Sequence, residues 1–583
     1  MSEAPQGKGL RPELRIFIAS ALSIIVILLW AKFFAPKPPV QAPQSNAPAA
    51  TAPATSGAQP NNKTSGGPAP SPAAPSVSAA LAGPVHADKA ERTIVVESDL
   101  YRVEFSNRGG VVKSWKLKKY VDDAKPRQVL DVVHPKDSQE VGGWPFAVTL
   151  DDANLENSAN SALYVSSASE NLTAPADLKF SWSDGHLEVT KFFHFDESYT
   201  AKAEVTVKYD GKPITAGIAW LGGFGDLTVT NPRPIETVNV FYSEGGKLNS
   251  LPYKKVDDWD KVPRGVWWGG KDWTGIEDRY FAAVFTPDAG TAPGKLETRY
   301  WKVWHPVQID GKDTPEPIPQ IATAASPSTD LRVYVGPKDY DVLKKMSPPL
   351  HSLVNFGWLE FISDPLFHGM KWLQKYIPNW GWAIVVMTLI INMLLFPLRI
   401  SSYKTTLKMQ RVAPEIKSIQ ERYKKYSMRD PRKAEMNKEV MAVYAREGIN
   451  PVGGCFQMLV QMPIWIGLNT ALRYAIELRH APWFGWITDL SAKDPYYILP
   501  VIMAAAMYLA TKMTPMTTTD PQQQAMMKFM PLSFAGMFII FPISSGLAVY
   551  ILTSSLVGIV QQWYLNRTHP VIPTNKPTKG KKS

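Results

Sequence analysis

A chain of 583 residues with a formal net charge of +11 and one cysteine, Cys455, is long enough for several domains. It excludes an internal disulfide and a cysteine-built metal cluster. The positive balance fits either nucleic-acid binding or the cationic flanks of membrane-spanning helices.

Residues 16–31, IFIASALSIIVILLWA, are apolar throughout and follow Lys8, Arg11 and Arg15. The apolar run continues past Lys32 into Phe33 and Phe34 with no small-residue cleavage site. Segment 1–35 is therefore expected to be an uncleaved signal anchor, spanning about 16–34 with its N-terminus inside. Residues 36–90 are rich in Pro, Ala and Ser and lack the apolar content to fold. They predict a disordered tether with a reach of roughly 40 Å.

Segment 91–346 changes period. TIVVESDLYRVEFSNRGGVVKSWKLKKY reads as strand, Gly-Gly turn and strand, and LEVTKFFHF, YTAKAEVTVKY, DRYFAAVFT, ETRYWKVWHPVQI and DLRVYVG keep the alternation. A large antiparallel β-sandwich of two sheets is expected. Trp259, Trp267, Trp268 and Trp273 are candidates either for stacking on a sugar or peptide or for core and rim packing. The domain shows no nucleophile–base pair, no metal-ligand spacing and no phosphate loop.

Residues 347–380 mix aromatic and charged side chains at helical spacing, as in an amphipathic helix lying in a membrane interface. Within 381–565, apolar stretches follow at about 381–398, 452–475, 496–513, 529–541 and 547–563. A span needs about 20 apolar residues. The 529–541 run falls short and calls for a locally thin or hydrated bilayer. Segment 399–447 and the tail 566–583 are strongly basic, which puts both in the cytoplasm. The expectation is thus a polytopic α-helical membrane protein of six spans, N-in and C-in, with the β domain outside.

Inside 399–447, two amphipathic stretches flank Asp430-Pro431, a helix-start signal, and Gly448 ends the second. This basic hairpin either only fixes topology or docks an anionic partner. The second reading gives Arg422, Lys424 and Lys425, together with Lys579, Lys581 and Lys582 of the tail, a contact role. Within the apolar stretches stand Thr388, Asn392, Gln457, Gln461, Asn469, Thr470, Ser544, Ser545, Thr553, Ser554 and Ser555, which serve either as glue between helices or as the wall of a polar cavity. No Asp or Glu lies in a spanning core and no Walker motif is present, which argues against an ion relay or a pump.

NPVGGCFQMLVQMPIWIGL, DLSAKDPYYILPVIMAAAMYLATKMTP and SGLAVYILTSSLVGIVQQ, with FSNRGG and VYVGPKDYD upstream, resemble the YidC branch of the YidC/Oxa/Alb insertases. The resemblance implies a periplasmic β-supersandwich, an anchor plus a five-span core at 381–565, and a location in the bacterial inner membrane. It implies insertion of nascent membrane proteins, alone or beside the Sec translocon, through a hydrophilic groove open to cytoplasm and lipid. Ribosomes would then be the anionic partner of the hairpin and tail. No catalytic site, cofactor, metal or small-molecule substrate is expected. The groove is expected to include Thr388, Asn392, Gln457, Gln461, Asn469, Ser545 and Tyr550. Such proteins usually carry a groove arginine where Asn392 stands here, counting back from Phe396-Pro397-Leu398. Arg399, seven residues on and nearly on the same face of a straight helix, is the alternative source of that charge or an ordinary flanking cation. Gln457 replaces a usual proline, and Ile551 a usual tyrosine. The competing function is a lipid or glycan transporter whose external sandwich binds a sugar.

Overall fold

Alternation along the predicted strands is a record of burial. Leu187–Phe195 turns Leu187, Val189, Lys191, Phe193 and Phe195 inward and places partly exposed or exposed residues between them, as a strand with one covered face must. The computed structural model describes residues 83–570 apart from 169, 227, 229–237, 253–266, 289–295, 310–311, 326–328, 427–429, 451–452, 516–532, 534–535 and 539–542. The expected anchor, most of the tether, Trp259, most of the 529–541 run and Lys579, Lys581 and Lys582 lie outside the described residues. Those described all belong to one unit, Ser78–Ser583.

Among the described residues the β domain forms three sheets, of five, ten and five strands, where two were expected. Period-two alternation says that a strand has a buried face but not which sheet it joins, and a twisted sheet of about ten strands curls or splits. In the ten-stranded sheet, Leu187–Phe195 pairs antiparallel with Ala176–Ser183 and with Thr200–Tyr209. Thr200–Tyr209 pairs in turn with Thr329–Pro337. The hairpin of Leu296–Ile309 and Lys312–Ala325 dominates the third sheet. Pairing is antiparallel except where Thr93–Glu97 meets Leu172–Thr173. Gly109 and Gly110 turn the chain at φ 73° and 57°. A Cβ on Gly109 would also lie 2.5 Å from the Asn160 carbonyl oxygen, so only glycine fits.

Seven helices dominate the C-terminal half among the described residues: α1 (Glu360–Tyr376), α2 (Trp380–Leu394), α3 (Phe396–Arg422), α4 (Arg432–Arg446), α5 (Gly453–Tyr474), α6 (Ile498–Met513) and α7 (Ser545–Thr568). Among the described residues, α7 alone is a single helix long and apolar enough to cross a membrane. Helices α2 and α3 pass that test together but meet at 53°, and α6 is apolar but shorter. Helix α1 is amphipathic. It buries Ser363, Phe367, Met370 and Leu373 and exposes Phe361, Trp372 and Tyr376.

Helices and β domain share one continuous apolar core, and polar ties cross their boundary. Lys371 of α1 lies 2.7 Å from both Asp341 and Glu477. Arg479, in the segment after α5, pairs with the buried Asp226 of the β domain.

Lys191 is the polar exception in the Leu187–Phe195 row. Fully buried, its ammonium donates to the carbonyls of Gly109 (2.6 Å), Phe146 (2.8 Å) and Gly110 (3.2 Å). Three acceptors use all three donors of the charged form, whereas burial pushes the pKa down from 10.5 to about 7. Between those values the unfolded chain binds the extra proton, so this group makes stability rise with pH across that window. Lys191→Met strands three buried acceptors and is expected to cost about 2 kcal/mol or more. Chemical denaturation from pH 7 to 10 should show both that loss and a shallower pH slope than the parent.

Candidate functional site

The helices enclose an open groove of about 630 Å³. Its polar wall is Arg399, Gln457, Gln461, Tyr550, Ser554 and Ser555. Met462, Trp465, Met507, Ala510, Phe538 and Ile551 supply apolar surface. The groove is thus a strip of hydroxyls, amides and one guanidinium set in a hydrocarbon-like surround. Such a lining holds water or a short polar segment at lower cost than lipid can.

Helix α5 supplies the amides. Gln457 and Gln461 are one turn apart and share a face, and Gln461 Nε2 donates to Tyr550 Oη at 3.2 Å. That bond fixes α5 against α7 at the groove floor. Helix α7 adds Ser554 and Ser555, with Ser555 Oγ returning its proton to the Ile551 carbonyl at 2.8 Å.

Arg399 comes from the first turn of α3. Pro397, just inside that helix, cannot donate to the carbonyl four residues back, and its ring crowds that carbonyl. The chain accordingly breaks at Leu395, and α3 leaves α2 at 53°. Beyond the bend, Arg399 points across to α7, donating to Gln561 Oε1 (3.0 Å) and the Gly558 carbonyl (3.1 Å). No carboxylate pairs with it among the described residues. Two of its five N–H donors are used, so it keeps its charge and most of its donors for the groove.

Asn392 is elsewhere. It is buried, and its Nδ2 donates to its own helix at the Thr388 carbonyl (2.9 Å) and to Ser554 Oγ (3.4 Å). Its backbone carbonyl, one of the last four of α2 and so without an intrahelical donor, accepts from Gln561 Nε2 at 3.1 Å. Gln561 therefore ties Arg399 to the end of α2, and Asn392 stands behind the groove wall. Thr388 is fully buried and returns its hydroxyl to the Ile384 carbonyl at 2.7 Å. Ser545 opens α7 against the Ala492 carbonyl (2.7 Å), and neither it nor Asn469 lines the groove. Of the residues selected from sequence, Arg399, Gln457, Gln461, Tyr550, Ser554 and Ser555 come together here. The reading missed the methionines and Phe538, because an apolar residue on an apolar helix carries no mark of the cavity it faces.

The basic hairpin is α3 against α4, around its own small core of Val412, Ile416, Ile419, Val443 and Ile449. Asp430 accepts from the Arg432 N–H at 3.0 Å at the start of α4, and Gly448, at φ 60°, ends it. Arg422 is tied across the hairpin to Glu439 at 2.6 Å, and Arg446 to Glu415 at 2.6 Å. Lys424 and Lys425 stand exposed at the tip. Arg422 thus also braces the hairpin.

The three described tryptophan candidates of the β domain, Trp267, Trp268 and Trp273, are engaged within the domain. The Lys271 ammonium sits 3.6 Å over the Trp268 ring, the Arg299 guanidinium 4.1 Å over Trp267, and Trp273 is buried. They pack as core and rim, with cations of the chain itself on two of the faces a sugar would need.

Two family models match the chain: YidC periplasmic domain over residues 93–369 and 60Kd inner membrane protein over 372–572. The membrane protein insertase YidC of Geobacter metallireducens is 34% identical over 95% of this chain and 98% of its own length. That of Syntrophus aciditrophicus is 32% identical over 95% and 99%, and that of Geotalea daltonii 32% identical over 96% and 100%.

Single cysteines in a Cys455→Ser background test the placement of the polar residues. Gln461→Cys and Ser555→Cys should react with a water-soluble maleimide roughly tenfold faster than Asn392→Cys or Thr388→Cys, since only exposed thiolate reacts. Equal rates at Asn392 and Gln461 would move Asn392 into the groove.

Proposed function

The chain belongs to the YidC family of membrane protein insertases, and from that premise we propose that it places nascent membrane proteins into the bacterial inner membrane through the groove around Arg399. The supporting observation is an uncompensated guanidinium in an open, mostly apolar trough with a polar strip. An acidic residue at a bilayer centre costs about 2.5–3.5 kcal/mol on insertion scales. A cation 4 Å away returns about 4 kcal/mol at an effective dielectric of 20. The two are of similar size, so the groove holds a polar end without trapping it. The apolar strip guides the following helix toward lipid, where burial of its surface drives release without a nucleotide.

In this reading the protein crosses the membrane six times with both termini inside and the β domain in the periplasm. Its clients are nascent membrane proteins and its surroundings the lipid bilayer. The Sec translocon is a partner for larger clients, and ribosomes dock on Lys424, Lys425 and the lysine-rich tail. The protein is not an enzyme. The groove cation is Arg399, with Asn392 in a supporting role. Its test is an insertion assay on a single-span client with an acidic translocated tail. Arg399→Gln should reduce insertion about tenfold and Arg399→Lys less, because lysine keeps the charge but not the fork. Asn392→Leu should have the smaller effect. The reverse order would return the role to Asn392.

Ribosome docking has its own measurement. Co-sedimentation with translating ribosomes should weaken steeply with salt, as counterions return to ribosomal RNA. Removing 576–583 and replacing Lys424 and Lys425 by Gln should flatten that slope, and an unchanged slope would leave the hairpin with topology alone.

A further inference from the structure

Asp123 of the β domain meets His480 and Asp489, both from the segment between α5 and α6. His480 Nε2 lies 2.6 Å from Asp123 Oδ1 and 3.8 Å from Asp489 Oδ2. One ligand-type atom from each residue falls within 4.8 Å of the other two, and the group is half-buried to buried. We propose that Asp123, His480 and Asp489 form a binding site for a first-row divalent cation of the zinc class, which clamps the β domain to the helical half.

Geometry supports it first. Ligand atoms about 2.0–2.2 Å from a tetrahedral ion stand roughly 3.4 Å apart. The 2.6 Å contact would open by less than an ångström and the 3.8 Å contact close by a few tenths. Asp489 is already aimed. Its Oδ1 accepts from Ser491 N and Oγ, each at 2.8 Å, which leaves Oδ2 toward the imidazole. His480 is held at φ 57°, a conformation uncommon for a residue other than glycine and one that sets the ring between the two carboxylates.

Charge supports it independently. Asp123, Asp489, Asp226 and Asp278 form one linked group. Thr228 Oγ1 accepts from Asp123 N (2.7 Å) and donates to Asp226 Oδ1 (2.6 Å), and Asp278 Oδ2 accepts from Asp226 N (3.0 Å). The facing cations are Arg479, taken by Asp226, and Lys338, taken by Glu277 at 2.8 Å. Arg127, from the β domain side, also acts on Asp123, but it is exposed. Four carboxylates against the two guanidiniums of Arg479 and Arg127 leave a surplus of negative charge. Buried charge of this kind calls for a counter-charge, and a divalent ion with a neutral imidazole supplies it. One imidazole with two carboxylates suits zinc and its neighbours better than calcium or magnesium, which prefer oxygen alone.

Chelator-stripped full-length protein in detergent, titrated with zinc, tests the site. One zinc per chain is expected, with a higher thermal midpoint than the stripped protein. His480→Gln and Asp489→Asn should each lose at least about tenfold in affinity. His186→Gln, which breaks an exposed His–Asp pair elsewhere in the β domain, should bind as the parent does. If the site variants fail to fold, the parent decides alone: bound cobalt should give a tetrahedral visible absorption band that zinc displaces. Absence of a stoichiometric site, absence of that band, or full affinity in both variants would overturn the proposal.

Discussion

Pro397 has no N–H to give to Met393, and the structure of the groove depends on that missing donor. A continuous helix through 380–422 would carry Arg399 along the line of α2. The break at Leu395 instead swings α3 by 53° and lets the guanidinium reach Gly558 and Gln561 of α7. The same break leaves carbonyls at the end of α2 without intrahelical donors, and Gln561 attends to one of them, that of Asn392. A single glutamine thus satisfies a helix end with its amide N–H and orients the groove cation with its oxygen.

Much of the architecture was legible because burial leaves a period. The strands of the β domain announced themselves by alternation, and the hairpin by its caps at Asp430 and Gly448. The count of sheets was not legible, since Leu187–Phe195 would alternate in the same way in either of two sheets. At the groove, the sequence placed Arg399 near the face of Asn392 by rotating about a straight axis, an assumption Pro397 invalidates. It marked Gln457, Gln461 and Tyr550 because polar atoms on an apolar helix stand out. It grouped them with Thr388, whose hydroxyl is spent on its own backbone, because a residue letter does not tell a returned hydrogen bond from an exposed one. The Asp123–His480–Asp489 cluster had no local signature, because Asp123 joins His480 and Asp489 from more than 350 residues away.

The boundary between the β domain and the helices is polar where it is most buried. Arg479 and Asp226 are both inaccessible to solvent, and Lys371 bridges Asp341 and Glu477. Breaking a buried pair from one side costs about 3–5 kcal/mol. Such ties are less a gain in stability than a demand that the two halves meet in one register.

The hairpin of α3 and α4 differs in that its five buried residues form a core separate from the main one. With its own apolar centre and its own cross-braces at Arg422–Glu439 and Arg446–Glu415, it qualifies as an independent cooperative unit, one able to open at a local free-energy cost below that of the whole chain. A large particle pressing on its tip would therefore meet a compliant arm, and the load would dissipate there before it reached the register of helices that shapes the groove.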